Sequence, residues 1–175
     1  MKIVFIGLGN MARAVIGGML RKDIVTPEDI IGTAKTREKR EKTPAEFGIK
    51  TMEKNADAAA RADVLVLAVK PQFLEEVIRE IKDVTKPDTL VISVAAGKSL
   101  AWLEEAFGRK MKLVRCMPNT PALVGAGCTG VCAGEAVSEE EKNYSLRLME
   151  SFGKADLMPE RLIDAAGAVS GSSPA

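Results

Sequence analysis

"KIVFIGLGNMA", residues 2–12, decides the fold of this chain. The short apolar run at residues 2–6 is typical of a fully buried strand. It is followed by Gly7-Leu8-Gly9-Asn10-Met11-Ala12, a G-x-G-x-x-A pattern that opens a helical stretch. In that position the first glycine permits a tight turn, the second leaves room for a diphosphate, and the alanine allows close helix packing. We therefore expect an anion site at the helix N-terminus; a strand-to-helix turn without a ligand is the alternative.

Apolar runs continue to alternate with helical patterns along the rest of the chain. Strands are predicted at 2–6, 29–34, 48–52, 63–69, 89–94, 112–117 and 127–134. Connections of helical length between consecutive strands imply right-handed βαβ crossovers and a mostly parallel sheet with helices on both faces. The predicted fold class is therefore α/β, a doubly wound sheet of the Rossmann type.

Several polar residues are placed as helix starts. Ser138 begins a capping box, and Ser99 and Asn55 are predicted N-caps of the helices that follow them. Thr43 also has the capping-box order, with Pro44 at the first helical position. These signals place a helix boundary at each of the four sites.

Composition excludes several classes of function. Lys plus Arg is 25 against 24 for Asp plus Glu, so there is no basic excess for nucleic-acid binding. No apolar run approaches the roughly 20 residues that span a membrane, and the N-terminus turns glycine-rich too early for a signal peptide. Three cysteines without close C-x-x-C spacing fit a cytoplasmic protein. Histidine is absent, which excludes Ser-His-Asp and Cys-His mechanisms, and a zinc site is not expected. A cofactor, or Lys, carboxylate, hydroxyl and backbone groups, must carry any chemistry.

The choice of dinucleotide follows from the end of the second strand. NAD sites usually carry Asp or Glu there for the ribose 2′-hydroxyl. This chain has Ala34-Lys35-Thr36-Arg37 instead. The cations Lys35 and Arg37 favour a 2′-phosphate and thus NADP(H), with NAD(H) still possible. An ordinary solvated run of surface charges is the alternative.

A proline-braced loop follows the sixth strand. Pro118 and Pro121 each fix their own φ and bias the preceding residue toward extended geometry. Ligands of open α/β sheets bind outside the carboxyl ends of the strands. We therefore expect Pro118, Asn119 and Thr120 at the nicotinamide end of a dinucleotide, beside the loops 68–72 and 93–99. A purely structural loop would also tolerate these prolines.

Five motifs, taken together, resemble the pyrroline-5-carboxylate reductase family. They are "FIGLGNMA" (5–12), "DVLVLAVKPQ" (63–72), "SVAAG" (93–97), "RCMPNTPALVGAG" (115–127) and "IDAAGAVSGSSPA" (163–175). The resemblance implies NAD(P)H-dependent reduction of 1-pyrroline-5-carboxylate to proline, the last step of proline biosynthesis. A related hydroxyacid dehydrogenase and a non-catalytic dinucleotide-binding module remain as alternatives.

The resemblance also implies site residues. The diphosphate would be cradled by Ile6, Gly7, Leu8, Gly9, Asn10 and Met11. The ribose and nicotinamide half would contact Asn55, Ala68, Val69, Lys70, Pro71, Val94, Ala95 and Ala96. Glu160 stands where some relatives have an acid that contacts the substrate, and no catalytic residue is assigned. Where many bacterial relatives have Asn-Arg after the second strand, this chain has Ala34-Lys35, which retains one cation and loses the amide.

The same resemblance implies a domain organisation. Residues 1–163 are expected to form the dinucleotide-binding domain, and residues 164–175 the start of an all-helical dimerisation domain whose remainder is missing. A disordered tail over residues 162–175 is the alternative. The full-length protein would be a homodimer or a higher homo-oligomer. The truncated chain alone is expected to bind the coenzyme without turning over.

Overall fold

The computed structural model describes residues 1–169, which form eight strands and seven α-helices. The strands are β1 Ile3–Ile6, β2 Ile30–Thr33, β3 Lys50–Met52, β4 Val64–Leu67, β5 Leu90–Ser93, β6 Lys112–Met117, β7 Gly127–Ala133 and β8 Gly153–Leu157. The helices are α1 Asn10–Arg21, α2 Arg37–Phe47, α3 Asn55–Ala59, α4 Leu74–Ile81, α5 Leu100–Phe107, α6 Glu139–Glu150 and α7 Glu160–Gly167. Short 3₁₀ turns lie at Pro27–Asp29, Pro71–Phe73 and Thr120–Val124.

All strands belong to one sheet, in the order β3-β2-β1-β4-β5-β6-β7-β8. Every neighbouring pair is parallel except β6 and β7, which are antiparallel. The chain moves outward from β1 to β3 and then returns to place β4 on the other side of β1. This reversal creates a crevice at the carboxyl ends of β1 and β4, where open α/β sheets bind ligands. The predicted doubly wound, mostly parallel α/β fold is confirmed.

The core consists of two layers, one on each face of the sheet. Alternate residues of β1, Ile3 and Phe5, pack with α1 and α6, whereas Val4 and Ile6 face α3, α4 and α5. All four residues are buried, as expected for a parallel strand covered on both faces. The fully apolar β1 therefore follows from its position in the middle of the sheet.

One strand was missed and the start of one helix was wrong. The predicted list ends with the seventh strand, but β8 adds a parallel edge strand beside β7. The predicted boundary at Thr43 does not exist, because α2 begins at Arg37 and runs through Pro44. Pro44 has no N–H for the carbonyl of Arg40, which instead accepts a hydrogen bond of 2.9 Å from the Thr51 hydroxyl. A neighbouring strand thus satisfies the acceptor that the proline leaves open.

Of the three other predicted helix starts, those at Ser99 and Ser138 are confirmed and the N-cap at Asn55 is wrong. Ser99 Oγ accepts a hydrogen bond of 3.1 Å from the amide of Trp102, and Ser138 forms the predicted capping box with Glu141. Asn55 does not cap α3, since it is the first helical residue and its side chain makes no capping hydrogen bond. Its side-chain amide instead bonds to β2 and α4.

The expected domain boundary after residue 163 falls within α7. The "SGSSPA" part of the last motif lies outside the described residues. None of the helices within residues 1–169 has the length and apolar content needed to cross a bilayer.

Candidate functional site

The turn after β1 is built around a glycine in a conformation that other residues rarely adopt. Gly7 has φ of 97°, and its N–H donates a hydrogen bond of 3.1 Å to the carbonyl of Thr33 in β2. A Cβ at this position would lie 2.8 Å from the carbonyl oxygen of Ala68, which follows β4. Both the backbone angle and the lack of space therefore require glycine.

The second glycine of the motif, Gly9, faces open space, whereas Gly7 is closely surrounded. Gly9 is the N-cap of α1 in extended geometry, and a Cβ built on it would meet no atom within 4 Å. The first N–H groups of α1 have no partner within the helix, and no acidic side chain lies in its first turn. Ala12 is only 1% exposed and packs in the core. The turn thus offers open space and a positive helix end for an anion.

A cleft of about 260 Å³ opens directly from this turn. The predicted residues that line it are Ile6, Gly7, Leu8, Gly9, Lys35, Asn55, Ala68, Val69 and Lys70. The cleft is also lined by Thr33, Ala34, Thr36, Lys39, Phe73 and Val77, which were not among the predicted site residues. The carboxyl ends of β1, β2 and β4 therefore meet as the motif spacing implied.

The remaining predicted site residues do not line this cleft. They are Asn10, Met11, Arg37, Pro71, Val94, Ala95, Ala96, Pro118, Asn119, Thr120 and Glu160. Pro71 opens the 3₁₀ turn before α4, and residues 94–96 and 118–120 follow β5 and β6 at the same edge of the sheet. Their contact with a coenzyme stays a prediction.

Asn55 connects β2 to the helical layer. Its Oδ1 accepts a hydrogen bond of 2.7 Å from the Thr33 hydroxyl, and its Nδ2 donates one of 2.7 Å to Glu80. Thr33 itself is only 1% exposed. The amide is therefore held in one orientation at the wall of the cleft.

The cations after β2 fall into three groups. Lys35 and Lys39 line the cleft; the Lys35 ammonium lies 3.8 Å from Glu76 and 5.2 Å from the centre of the Phe73 ring. Arg37 instead donates a hydrogen bond of 2.6 Å to Glu41 on its own helix. Arg40 donates to the carbonyls of Ala34 and Lys35, at 2.9 and 3.1 Å. Two lysines are thus directed to the cleft, while the arginines stabilise the helix and loop.

The proline loop is fixed by a side chain within it. Asn119 Oδ1 accepts a hydrogen bond of 2.8 Å from the amide of Cys128, which joins the start of the loop to the start of β7. Pro121 lies in the 3₁₀ turn, and Ala122 is completely buried. Thr120 is exposed.

Beside this loop, a buried arginine connects β6 to α7. Arg115 is 3% exposed, and its guanidinium pairs with Glu160, at 3.3 Å, and with Asp164. Glu160 also accepts a hydrogen bond of 2.7 Å from the amide of Leu100 at the start of α5. Burial raises the pKa of the neighbouring Cys132 thiol, the charge of Glu160 adds to this, and Arg115 opposes it.

Some lining residues could have been found from the sequence and others could not. Lys39 lies in the first turn of α2, so a helix predicted to start at Arg37 would have placed Lys39 close to the end of β2. Thr33 is the last residue of β2. Phe73 and Val77 carry no chemical signal, since their periodicity indicates only a core face. Within residues 1–169, no group of His, Cys, Asp or Glu side chains is arranged to hold a metal ion.

Three kinds of comparison relate the chain to known proteins. Residues 2–97 match the family described as "NADP oxidoreductase coenzyme F420-dependent". The chain is 44% identical to a pyrroline-5-carboxylate reductase of Pseudomonas aeruginosa over 175 residues, which are 99% of this chain and 64% of that protein. It therefore spans slightly less than two thirds of the length of this relative.

Solved structures give the same result. A pyrroline-5-carboxylate reductase from Coxiella burnetii is 37% identical with a TM-score of 0.94, and the match covers 99% of this chain and 64% of that one. Plasmodium falciparum pyrroline carboxylate reductase, solved with NADP bound, is 31% identical with a TM-score of 0.88, covering 99% and 63%. These matches confirm the resemblance that the five motifs indicated. The chain belongs to the family described as NADP oxidoreductase coenzyme F420-dependent, and it is a homologue of the pyrroline-5-carboxylate reductases.

Proposed function

We propose that this chain is the dinucleotide-binding part of an enzyme that reduces 1-pyrroline-5-carboxylate to proline with NADPH. The observation that carries the proposal is the glycine turn, in which Gly7 is confined and Gly9 faces open space. The five motifs and the homology to pyrroline-5-carboxylate reductases supply the substrate. As the chain spans only part of these relatives, activity belongs to the full-length gene product.

The residues present fit a phosphate-bearing dinucleotide. The diphosphate would lie over Gly9 and bind the free N–H groups at the start of α1, where the helix dipole favours negative charge. A residue with a side chain at position 9 would fill that space. Asn55 and the segment Ala68–Lys70 would line the ribose side, as the resemblance implied.

NADP(H) is the proposed coenzyme, because the residues at the end of β2 favour a 2′-phosphate. Lys35 and Lys39 both line the cleft, and among the described residues Lys39 has no ion-pair partner. An ammonium is a compact phosphate ligand. Arg37 remains a predicted contact, but its pairing with Glu41 makes the two lysines the stronger candidates.

The proposed reaction makes modest demands on the protein. NADPH would supply a hydride from C4 of its nicotinamide to the C=N carbon of the substrate. The protonated imine is already electrophilic and keeps its proton on nitrogen, so the product amine forms without a strong protein acid. The chain would contribute positioning and the exclusion of water from the loops after β4, β5 and β6. This fits a sequence without histidine, and no catalytic residue is assigned.

We further propose that residues 1–163 form the dinucleotide-binding domain and that the full-length enzyme is a homodimer or a higher homo-oligomer. The three cysteines are free, which fits a reducing compartment and a cytoplasmic enzyme.

Titration of the chain with NADPH and NADH, followed by nicotinamide fluorescence, tests the coenzyme. We expect micromolar-range binding of NADPH and at least about tenfold weaker binding of NADH, the equivalent of one lost charge-assisted contact. Lys35→Ala and Lys39→Ala should each reduce this preference. Lys42→Ala, on the same helix but outside the cleft, is the matched control. Equal affinities for the two coenzymes would contradict the assignment of a 2′-phosphate site.

The reaction itself is tested with the full-length gene product, the pyrroline and NADPH. Oxidation of NADPH that depends on the pyrroline is expected. If NADPH is oxidised only with a keto acid, the hydroxyacid dehydrogenase alternative is correct. If the coenzyme binds but no reduction of either substrate occurs, the chain belongs to a non-catalytic binding protein.

A further inference from the structure

Glu160, which the resemblance placed near the substrate, binds two groups of the protein itself. Its Oε1 accepts hydrogen bonds from Leu100 N, at 2.7 Å, and from the Arg115 guanidinium, at 3.3 Å. Leu100 is the first residue of α5, so its N–H has no partner within the helix. One carboxylate therefore joins the starts of α5 and α7 to the strand β6.

The Glu160 carboxylate is held in place by its ion pair with Arg115 of β6. Arg115 is 3% exposed and lies on the face of β6 that is covered by α7. A buried guanidinium is costly without a carboxylate partner, so the ion pair is maintained in the folded state. The planar fork of the arginine fixes the direction of its donors. The side chain of Glu160 is thus oriented by a rigid strand rather than by solvent.

The loop that precedes α5 is held by hydrogen bonds at both of its ends. At its start, the amide of Ala95 lies 3.4 Å from the hydroxyl of Ser93. At its end, Ser99 caps α5 and Glu160 accepts from Leu100. The loop 94–99 contains Val94, Ala95 and Ala96, which are expected at the nicotinamide end. The strand that carries Arg115 continues directly into the proline loop at Pro118.

We propose that Glu160, held by Arg115, is a positioning residue that fixes the loop 94–99 at the nicotinamide end of the coenzyme site. It acts through the amide of Leu100, which donates a hydrogen bond to its Oε1. The inference rests on the proposed function for the identity of the coenzyme. The contact itself belongs to the protein without coenzyme and can be measured there.

Hydrogen–deuterium exchange of the coenzyme-free protein gives the first test. Glu160→Ala should raise the exchange rate of the Leu100 amide about tenfold, as expected for the loss of one charge-assisted hydrogen bond. Glu160→Gln keeps an acceptor oxygen and should restore most of the protection. Asp164→Asn is the matched control, because Asp164 also pairs with Arg115 but does not reach the loop.

The second test separates the two ends of the coenzyme. In Glu160→Ala, the loop 94–99 should no longer be held beside the nicotinamide, and the fluorescence of bound NADPH should therefore change. The affinity for 2′,5′-ADP should stay within about twofold, because this ligand has no nicotinamide. Unchanged exchange and fluorescence in this variant would overturn the proposal. Equal changes in Asp164→Asn would also overturn it, since they would indicate only the docking of α7. If the unsubstituted protein binds neither ligand, the proposed function fails, and amide exchange alone decides the role of Glu160.

Discussion

The turn after β1 presents free backbone groups and open space, whereas beyond β5 the polar side chains at the carboxyl ends of the strands are bound to other groups of the protein. Gly7 is confined by the carbonyl of Ala68, and Gly9 beside it has no neighbour within 4 Å of a built Cβ. By contrast, Asn119 is joined to Cys128, and Glu160 is joined to Arg115 and Leu100. A group that already has partners inside the protein is suited to positioning, while open N–H groups are suited to binding.

Gly7→Ala should have the largest effect, because it combines a strained backbone with a steric clash. Positive φ and the 2.8 Å approach to Ala68 together lead us to expect a loss of about 3 kcal/mol in the free energy of unfolding. Urea denaturation followed by circular dichroism measures this loss. A variant as stable as the unsubstituted protein would show that the turn can rearrange and that Gly7 is not confined.

Gly9→Ala should leave the fold intact and weaken binding. Its extended backbone accepts any residue, so stability should change by no more than about 1 kcal/mol. The added methyl group would occupy the space proposed for the diphosphate, and we expect at least about tenfold weaker binding of NADPH. Isothermal titration at matched protein concentrations measures the affinity. Undiminished affinity would place the diphosphate elsewhere.

Asn119→Ala examines the opposite half of the sheet. Loss of its hydrogen bond to the Cys128 amide should reduce the free energy of unfolding by about 1 kcal/mol. The affinity for 2′,5′-ADP should not change, because this ligand ends before the nicotinamide. Thr120→Ala, at an exposed neighbouring position, should alter stability by less than about 0.5 kcal/mol. A marked loss of 2′,5′-ADP affinity in Asn119→Ala would show that the loop contacts the adenosine half.

Asp63→Asn should have the smallest effect and should depend on pH. The hydrogen bond from the Lys2 amide, at 2.7 Å, is the main cause of a lowered pKa of Asp63, and Lys86 adds to it. A carboxyl with a lowered pKa stabilises the folded state above its unfolded pKa, which is about 3.9, and loses this contribution as the pH falls through the folded value. The variant should therefore be slightly less stable at pH 7, and the difference should vanish in stronger acid.

Denaturation midpoints of both proteins, measured from pH 7 to pH 2.5, check this dependence. NADPH affinity at pH 7 should be equal in the two proteins. Asp63 precedes β4 and therefore lies at the amino ends of the strands, whereas the candidate site lies at their carboxyl ends. A stability difference that grows in acid would contradict the direction of the pKa shift.

The parts of the fold that were predicted correctly are those whose signals are local. The strand β6 was predicted with its observed bounds because four of its six residues are apolar and a proline follows its last residue. The strand β8 was missed because "GKADL" has no apolar period, and only its pairing with β7 makes it a strand. The sequence at Thr43 and Pro44 predicted a helix start because a proline inside a helix leaves a carbonyl without its donor. Here the carbonyl of Arg40 accepts from the Thr51 hydroxyl, which belongs to another element and could not be anticipated locally.

The same distinction applies to the candidate site. Gly7 and Gly9 could be placed from spacing alone, because their task is performed by their own backbone. The orientation of Asn55 could not, since Thr33 and Glu80 determine it from two other elements. Lys39 was not identified because the start of α2 was predicted too late along the chain. The contact of Glu160 with Leu100 spans 60 residues of sequence and has no local signal, while the expected contact of Glu160 with the substrate stays a prediction.

The exposure of the cysteines gives this protein a ready attachment point for a reporter group. Cys116 and Cys132 are buried, and the register of β6 and β7 places them on opposite faces of the sheet, so an intramolecular bridge between them is not possible. Burial also raises the pKa of the Cys116 thiol, which further slows its alkylation. Cys128 is exposed and follows the proline loop. A maleimide dye would therefore label the unaltered sequence at a single place, directly after the proline loop.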